Sequence, residues 1–539
     1  MSSIESAFKV LSTNEGEPDS TLTLRKLLIK RIDELQKNNE TSTIDDIGLT
    51  HNLFLTSNFK PFVATASTYL NNNVSYFNLG TFSTIYLDQL VSGDFINDMY
   101  LDVTFDEIGN KNDHSTKSYK YRYTNYPGIR LLEKVELWLD GKKVDSYTSD
   151  DVLFYLNCEL DMEKRNAYMS CVGESSISNS HTYNKDKEYD LITNIKSGYQ
   201  TFKNYQKSLH MQIPLLFWFN KYIEKSYPVI KQATMNLDNS KNFIKVWFAD
   251  IDKIIQVGKF DEENKTIDVD ARNTTYFHTW KLKEAVNKFN LSLPKININI
   301  YVNNIFVNDE IRNYYKSNVD MYSIITNHSF SIPIYKNDSV KIKDLNDMTP
   351  YIYMGFKTEE DDKSFNNWHK FTKTKRDWHV VPNYQEQLIH RSELSSLTSS
   401  SLQLDGNEYI NVCVLKGVRA TYDTELPIIT EFTLTLDTLP YVTHKNPSDY
   451  VKYLAQRKDD QHKYCFDNGI YLLKFCRKFS DYDISGHINF SKIQEVILNY
   501  KFNEGMETQN LKLILSSRKI NLLNINENEV KLKWDTYVS

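Results

Sequence analysis

The chain reads as an all-β protein of the sandwich type, and three features of the sequence say so. Apolar and polar residues alternate in many short stretches from about Thr50 onward. Helical periodicity is scarce, and long polar segments rich in Asn and Lys separate the stretches. An α/β chain would interleave helices regularly between its strands, whereas short half-buried strands with long connections pack sheet on sheet. With 539 residues, 40% hydrophobic and 13% aromatic, the length corresponds to about two to four units of roughly 150 residues. Such units bury a core without needing a disulfide or a metal.

The elements follow in order. Residues 1–47 form an N-terminal arm in which Leu24, Leu27, Leu28, Ile32 and Leu35 recur at helical spacing, flanked by Arg25, Lys26, Lys30 and Arg31. This predicts an amphipathic helix whose apolar face packs on its own domain, docks onto a partner protein, or rests on an anionic membrane surface. Met99, Leu101, Val103 and Phe105 alternate with polar neighbours, which predicts a half-buried strand. Val135, Leu137 and Leu139 repeat that pattern and run into Asp140-Gly141, a pair suited to the positive φ angles of a tight hairpin turn. The seven-residue apolar run Ile213–Phe219 is strand-sized. Further strands are expected at 243–248, 295–302, 431–436, 492–500 and 511–515, and helices at 150–169 and 277–289. Ser395–Ser401 reads as an exposed loop. After Val307, Asp309-Glu310-Ile311-Arg312 can begin a helical turn, and the domain boundary is placed there.

Several functions are excluded by what is missing. Sixteen glycines occur, and the closest two, Gly406 and Gly417, stand eleven residues apart. Phosphate-cradling loops and the nucleophile elbow need glycines within a few residues of each other. The twelve histidines are scattered, and the loose group His369, His379 and His390 has no ligand spacing. Asp481–Gly486 imitates half of an EF-hand loop, but Lys492 stands where a bidentate Glu is required. A net charge of −6 gives little attraction for phosphate backbones. The five cysteines are widely spaced, without C-x-x-C, and are expected as reduced, buried thiols. Neither a secretory signal nor an apolar run of membrane-spanning length is seen. Triplets such as Asn73-Val74-Ser75 are expected to arise by chance in an Asn-rich chain. No catalytic residue, cofactor or metal site is expected.

The order of segments resembles the double jelly-roll major capsid proteins of nucleocytoplasmic large DNA viruses. His51-Asn52-Leu53-Phe54-Leu55-Thr56-Ser57-Asn58-Phe59 is similar to that family's entry into its first barrel. Gly93-Asp94-Phe95-Ile96 looks like its Gly-Asp-Leu-Ile strand. Tyr126-Pro127, Leu131–Leu137 and Asp140–Asp145 resemble its strand and Gly-Gly hairpin. Ile213–Asn220 and Tyr227-Pro228-Val229-Ile230 are similar to its Pro-Leu-x-Phe-Phe-Phe and Leu-Pro-Leu-Ile segments. Ile300–Arg312 looks like its exit from the first barrel. Leu402–Gly406, Gly469-Ile470-Tyr471 and Gly486–Ile493 resemble motifs of the second. The chain departs from the pattern at Phe59, where the family has proline, in a longer arm, and in an apparent insertion at 411–468.

What the resemblance implies is two tandem eight-stranded jelly-roll sandwiches with long loops and a few short helices, at 48–312 and 313–539. It also implies a structural role rather than an enzymatic one. Three copies would close into a pseudo-hexagonal capsomer, and capsomers would tile an icosahedral shell made in the host cytoplasm. Minor capsid and penton proteins would be partners, with a possible contact to an internal viral membrane and no specific nucleic acid. Two alternatives stand beside this reading: an assembly scaffold of the same fold, and a carbohydrate-binding or carbohydrate-cleaving sandwich that uses Trp368 and Trp378 as stacking platforms.

Overall fold

The computed structural model describes residues 65–534, except for short gaps and longer stretches at 230–240, 262–275, 391–408, 456–464 and 478–484. The arm with Leu24, Leu27, Leu28, Ile32 and Leu35, the segment His51–Phe59, Ser395–Ser401 and Leu402–Gly406 lie outside the described residues.

Sixteen strands build the scaffold. The first eight are β1 (Thr65–Asn73), β2 (Phe82–Tyr86), β3 (Phe95–Phe105), β4 (Leu132–Leu139), β5 (Lys142–Thr148), β6 (Leu209–Pro214), β7 (Phe243–Phe248) and β8 (Ile296–Val307). They form two antiparallel sheets in the orders β1-β8-β3-β6 and β2-β7-β4-β5. The second eight are β9 (Met321–Ile334), β10 (Ser339–Lys341), β11 (Tyr351–Thr358), β12 (Ile429–Leu436), β13 (Leu439–Lys445), β14 (Ile470–Lys474), β15 (Val496–Phe502) and β16 (Leu511–Asn526). Their orders are β9-β16-β11-β14 and β10-β15-β12-β13. Each order is the first sandwich's order with eight added, so the chain winds twice through the same jelly-roll path.

The period-two pattern explains the packing. On β3, Met99, Leu101, Val103 and Phe105 are buried, facing Ile298, Ile300 and Val302 of β8 on the same inner side. In the second sandwich, Ile352, Met354 and Phe356 of β11 and Leu511, Leu513 and Leu515 of β16 form the inner layer. Apolar side chains that alternate with polar ones leave the other face of each sheet free to meet something else.

Both β4–β5 and β12–β13 are tight hairpins. Asp140 and Gly141 take φ of 50° and 73°, and at the equivalent turn Asp437 and Thr438 take 46° and 76°. Each hairpin carries a bulge at the same rung. Leu137 pairs Asp145 while Trp138 pairs Lys143, and Leu434 pairs Val442 while Thr435 pairs Pro440.

Some sequence expectations are corrected. Strand β6 ends at Pro214, and the rest of the apolar run 213–219 is a buried loop leading into a helical turn at Trp218–Lys221. Proline ends the ladder because it has no N–H to give. The helix expected over 150–169 is broken into α1 (Ser149–Phe154), a π-helical turn at Tyr155–Glu159, and α2 (Met162–Cys171). Its new start at Met162 is capped by Asp161, whose side chain accepts from Lys164 N. The stretch 277–289 divides into a strand, Tyr276–Lys281, and α3 (Leu282–Phe289). The strand expected from Lys492 begins at Val496, after a short 3₁₀ turn at Phe490–Lys492. The apparent insertion 411–468 is not peripheral, since it supplies β12 and β13. What precedes them is a two-stranded ribbon, Thr372–His390 against Tyr409–Pro427. The helical turn foreseen at Asp309 is α4 (Asp309–Asn318), anchored by Arg312, which forks onto Asp94 at 2.9 and 3.0 Å.

Candidate functional site: the charged seam between the sandwiches

The outer face of the β9-β16-β11-β14 sheet is covered by the first sandwich. Tyr351, Tyr353, Ile470, Leu472 and Ile514 on that face belong to one apolar cluster continuous with the first sandwich's core. Within this apolar setting lies a set of charges. Arg518, at the centre of β16, is 0% exposed. Its Nη2 donates to Glu159 Oε1 at 2.7 Å, and its Nη1 donates to Ser516 Oγ at 3.1 Å and lies 3.9 Å from Asp151 Oδ1. Lys221 Nζ reaches the other Glu159 oxygen at 3.3 Å. Lys357 of β11 pairs with Asp150, and Ser516 donates to Asp151.

Three acids from the loop after β5 thus meet three cations, two of them on the second sandwich and Lys221 on the first. The acids are positioned by α1: Thr148 N donates to Asp151 Oδ2 at 2.7 Å, which fixes the carboxylate at the helix start. The guanidinium of Arg518 also lies over the Tyr353 ring at 5.6 Å, and Lys357 over Phe371 at 4.6 Å. Burial alone would raise the Glu159 carboxyl, but Lys221 and Arg518 overcome it and hold it at about 2. For Arg518 burial disfavours the charge, yet Glu159 and Asp151 keep it firmly cationic.

A second contact lies between the edge strands. Asp145 of β5 accepts from Asn327 N of β9 and from Ser146 N, each at 2.9 Å, while Asn327 Nδ2 donates to Leu216 O at 3.0 Å. Burial pushes the Asp145 carboxyl up to about 7, and those N–H donors together with Lys221 oppose the shift. A third contact joins the Lys120–Pro127 region to the loop after β11. Thr124 Oγ1 and Arg130 Nη1 both donate to Phe365 O, at 2.8 and 2.9 Å, and Asn125 Nδ2 donates to Asn366 O at 2.8 Å.

Trp368 is part of this third contact. It is 5% exposed, donates Nε1–H to Asn125 O at 3.0 Å and lies 5.2 Å from the Arg130 guanidinium. It is therefore not an exposed platform for a sugar, because the first sandwich covers it. Trp378, His379 and His390 lie on the ribbon strand Thr372–His390, and the His369 ring packs 5.1 Å from Tyr126. Two cavities border the sandwiches, each of about 20 Å³; that is room for one or two waters, not for a saccharide ring. Among the described residues no group of three His, Cys, Asp or Glu could hold a metal ion.

Chemically, these charges satisfy one another inside the protein. They favour the observed placement of the sandwiches, because a buried charge that loses its partner is strongly destabilising. Sequence reasoning missed the seam. Its visible signal is the adjacent pair Arg518-Lys519 in the middle of a strand, between the apolar runs Leu513–Leu515 and Leu522-Leu523.

The fold and the seam define a class: two like sandwiches rigidly joined as a structural block. Residues 66–308 match the family model described as major capsid protein N-terminus. The hexon protein p72 of African swine fever virus is 23% identical, over 79% of this chain and 74% of that protein. A protein named major capsid protein from another isolate of that virus is 24% identical over the same shares. Among solved structures, the Faustovirus major capsid protein aligns with a TM-score of 0.62 at 17% identity, covering 95% of this chain and all of the other. The PBCV-1 capsid model aligns at 0.53 and 15% identity, covering 90% of this chain and all of its own. The chain thus has the double jelly-roll fold of the capsid proteins it aligns with, and its first sandwich is similar to the N-terminal unit of major capsid proteins. The relatives it matches are named as hexon and major capsid proteins.

Proposed function

We propose that three copies of this chain close into a pseudo-hexagonal capsomer, and that capsomers tile an icosahedral shell. The observation that carries the reading is the repeat inside the chain. Strand β5, at the edge of the first sandwich, lies against β9, at the edge of the second, through Asp145 and Asn327. The equivalents of these two edges are β13 and β1. Both are exposed, with Leu439 at 71%, Tyr441 at 50% and Tyr69 at 50%. If β13 of one copy takes the place against β1 of the next that β5 takes against β9, the contact is heterologous and closes by rotation. The ring then holds two sandwiches per copy, and three copies give six nearly equivalent blocks.

The units are residues 48–312 and 313–539, with 1–47 as an arm. In this reading the face formed by Leu24, Leu27, Leu28, Ile32 and Leu35 points into the particle, toward a minor capsid protein or an internal membrane. Penton and minor capsid proteins meet the outer walls, no specific nucleic acid is bound, and assembly takes place in the host cytoplasm. Size-exclusion chromatography with light scattering on the full chain tests it. A trimer with sixfold-looking projections in electron microscopy is expected, and a monomer persisting at tens of micromolar would overturn it.

A further inference from the structure

Cys158 and Cys465 are brought together from opposite ends of the chain. Cys158 sits in the π-helical turn Tyr155–Glu159, between β5 and β6, beside the seam acid Glu159. Cys465 lies in the connection between β13 and β14. They are 307 positions apart in sequence, yet their sulfurs stand 3.1 Å from each other, with Cys158 donating to Cys465 and Cys465 donating to Asp467 O at 3.2 Å. Cys158 is 0% and Cys465 3% exposed, and both are free thiols.

We propose that Cys158 and Cys465 are a peroxide-oxidisable thiol pair whose disulfide staples the two sandwiches together. A disulfide bond is about 2.05 Å long, so the sulfurs need to approach by only about 1 Å. The co-reactant is a peroxide, and Cys465, at 3% exposure against 0% for Cys158, is the member of the pair it meets first. The Cys465 thiolate, its proton released to solvent, attacks one peroxide oxygen and the O–O bond breaks. This leaves a sulfenic acid and a hydroxide, which takes up a proton to become water. The Cys158 sulfur then attacks the sulfenic sulfur, the S–O bond breaks, the S–S bond forms, and a second water leaves with the Cys158 proton. Two thiols and one peroxide become one disulfide and two waters. Burial and the neighbouring Cys465 push the Cys158 thiol up, so Cys158 stays protonated through the first encounter and gives up its proton as its sulfur attacks. The cross-link would close a very long loop and hold the first sandwich's seam-side turn to the loop entering β14, adding a covalent tie to the ionic one.

The test uses the full-length protein, reduced with dithiothreitol or treated with hydrogen peroxide, then alkylated and mapped by non-reducing peptide mass spectrometry. A peptide joining Cys158 to Cys465 is expected after peroxide, together with a rise in unfolding temperature that dithiothreitol reverses. Cys158→Ser and Cys465→Ser should each abolish that rise, whereas Cys171→Ser and Cys476→Ser should keep it. The proposal fails if Cys158 and Cys465 are both recovered as alkylated thiols under peroxide that oxidises the other cysteines, or if either is linked to Cys171, Cys413 or Cys476. The wild-type map decides this even if a serine variant does not fold.

Discussion

The two sandwiches share one winding path but treat the same surface differently. On the second, the outer face of the β9-β16-β11-β14 sheet is sealed, with Tyr353, Ser516 and Arg518 at 0% exposure. On the first, the equivalent face carries Tyr100 stacked on Tyr301 at 4.9 Å, with Tyr69 beside them at 50% exposure and its hydroxyl on Asp98. One face is finished by the chain's own loops, and the other is finished, in the proposed ring, by the next copy. The difference teaches that a duplicated domain need not duplicate its interfaces. One copy of the contact is internal, and in the proposed ring its twin is left for assembly.

The largest expected effect tests the sealed face. Arg518→Met removes the cation shared by Glu159 and Asp151, leaving Glu159 with Lys221 alone and Asp151 with neutral donors only, a loss of about 3–5 kcal/mol. Denaturant unfolding of the purified chain should show it, and adding Glu159→Gln should recover part of the loss. If Arg518→Met costs nothing, the seam does not fix the sandwiches. The open face is tested by Leu439→Asp with Tyr441→Glu on β13. These surface changes should cost the isolated chain no more than about 0.5 kcal/mol, while light scattering should find the trimer lost. A trimer that survives both would place the ring contact elsewhere.

The pH dependence separates two carboxylates of the internal contact. Glu159 is held at about 2 in the fold, against about 4.3 in an unfolded chain. Its contribution is therefore present above the unfolded value and lost as pH falls from about 4.3 through 2. Asp145 is raised to about 7, against about 3.9 unfolded. Between those values the folded chain binds the extra proton, so stability falls as pH rises from about 4 to 7. Urea midpoints measured against pH should lose the acid limb in Glu159→Gln and the limb between pH 4 and 7 in Asp145→Asn.

The smallest effect compares the two hairpin turns. Thr438 is a β-branched residue held at φ 76°, where the first sandwich has Gly141 at 73°. Thr438→Gly should stabilise by roughly 1 kcal/mol, and Gly141→Thr should destabilise by a similar amount or more. Space is not the obstacle at Gly141, since a Cβ there meets nothing within 4 Å. Thermal unfolding of the two variants reads the comparison directly.

Much of the scaffold is legible because it is local. The alternation over Met99–Phe105 and the Asp140-Gly141 turn specify a strand and a hairpin from neighbouring residues alone. Strand β13 escaped because Leu439-Pro440-Tyr441-Val442 shows no alternation. The run Ile213–Phe219 misled because unbroken apolar sequence signals burial without naming the backbone that is buried. The seam was illegible for a different reason. Arg518 meets Glu159 across 359 positions, and no periodicity within a strand reports which distant charge will face it.

The matching bulges, which skip Val144 in one hairpin and Tyr441 in the other, bear on descent. An extra residue wedged at the same rung serves no evident need in both places, and bulges persist in lineages long after side chains have changed. The two halves of this molecule thus share, beyond their strand order, an irregularity of the kind that tandem duplication of one segment would leave.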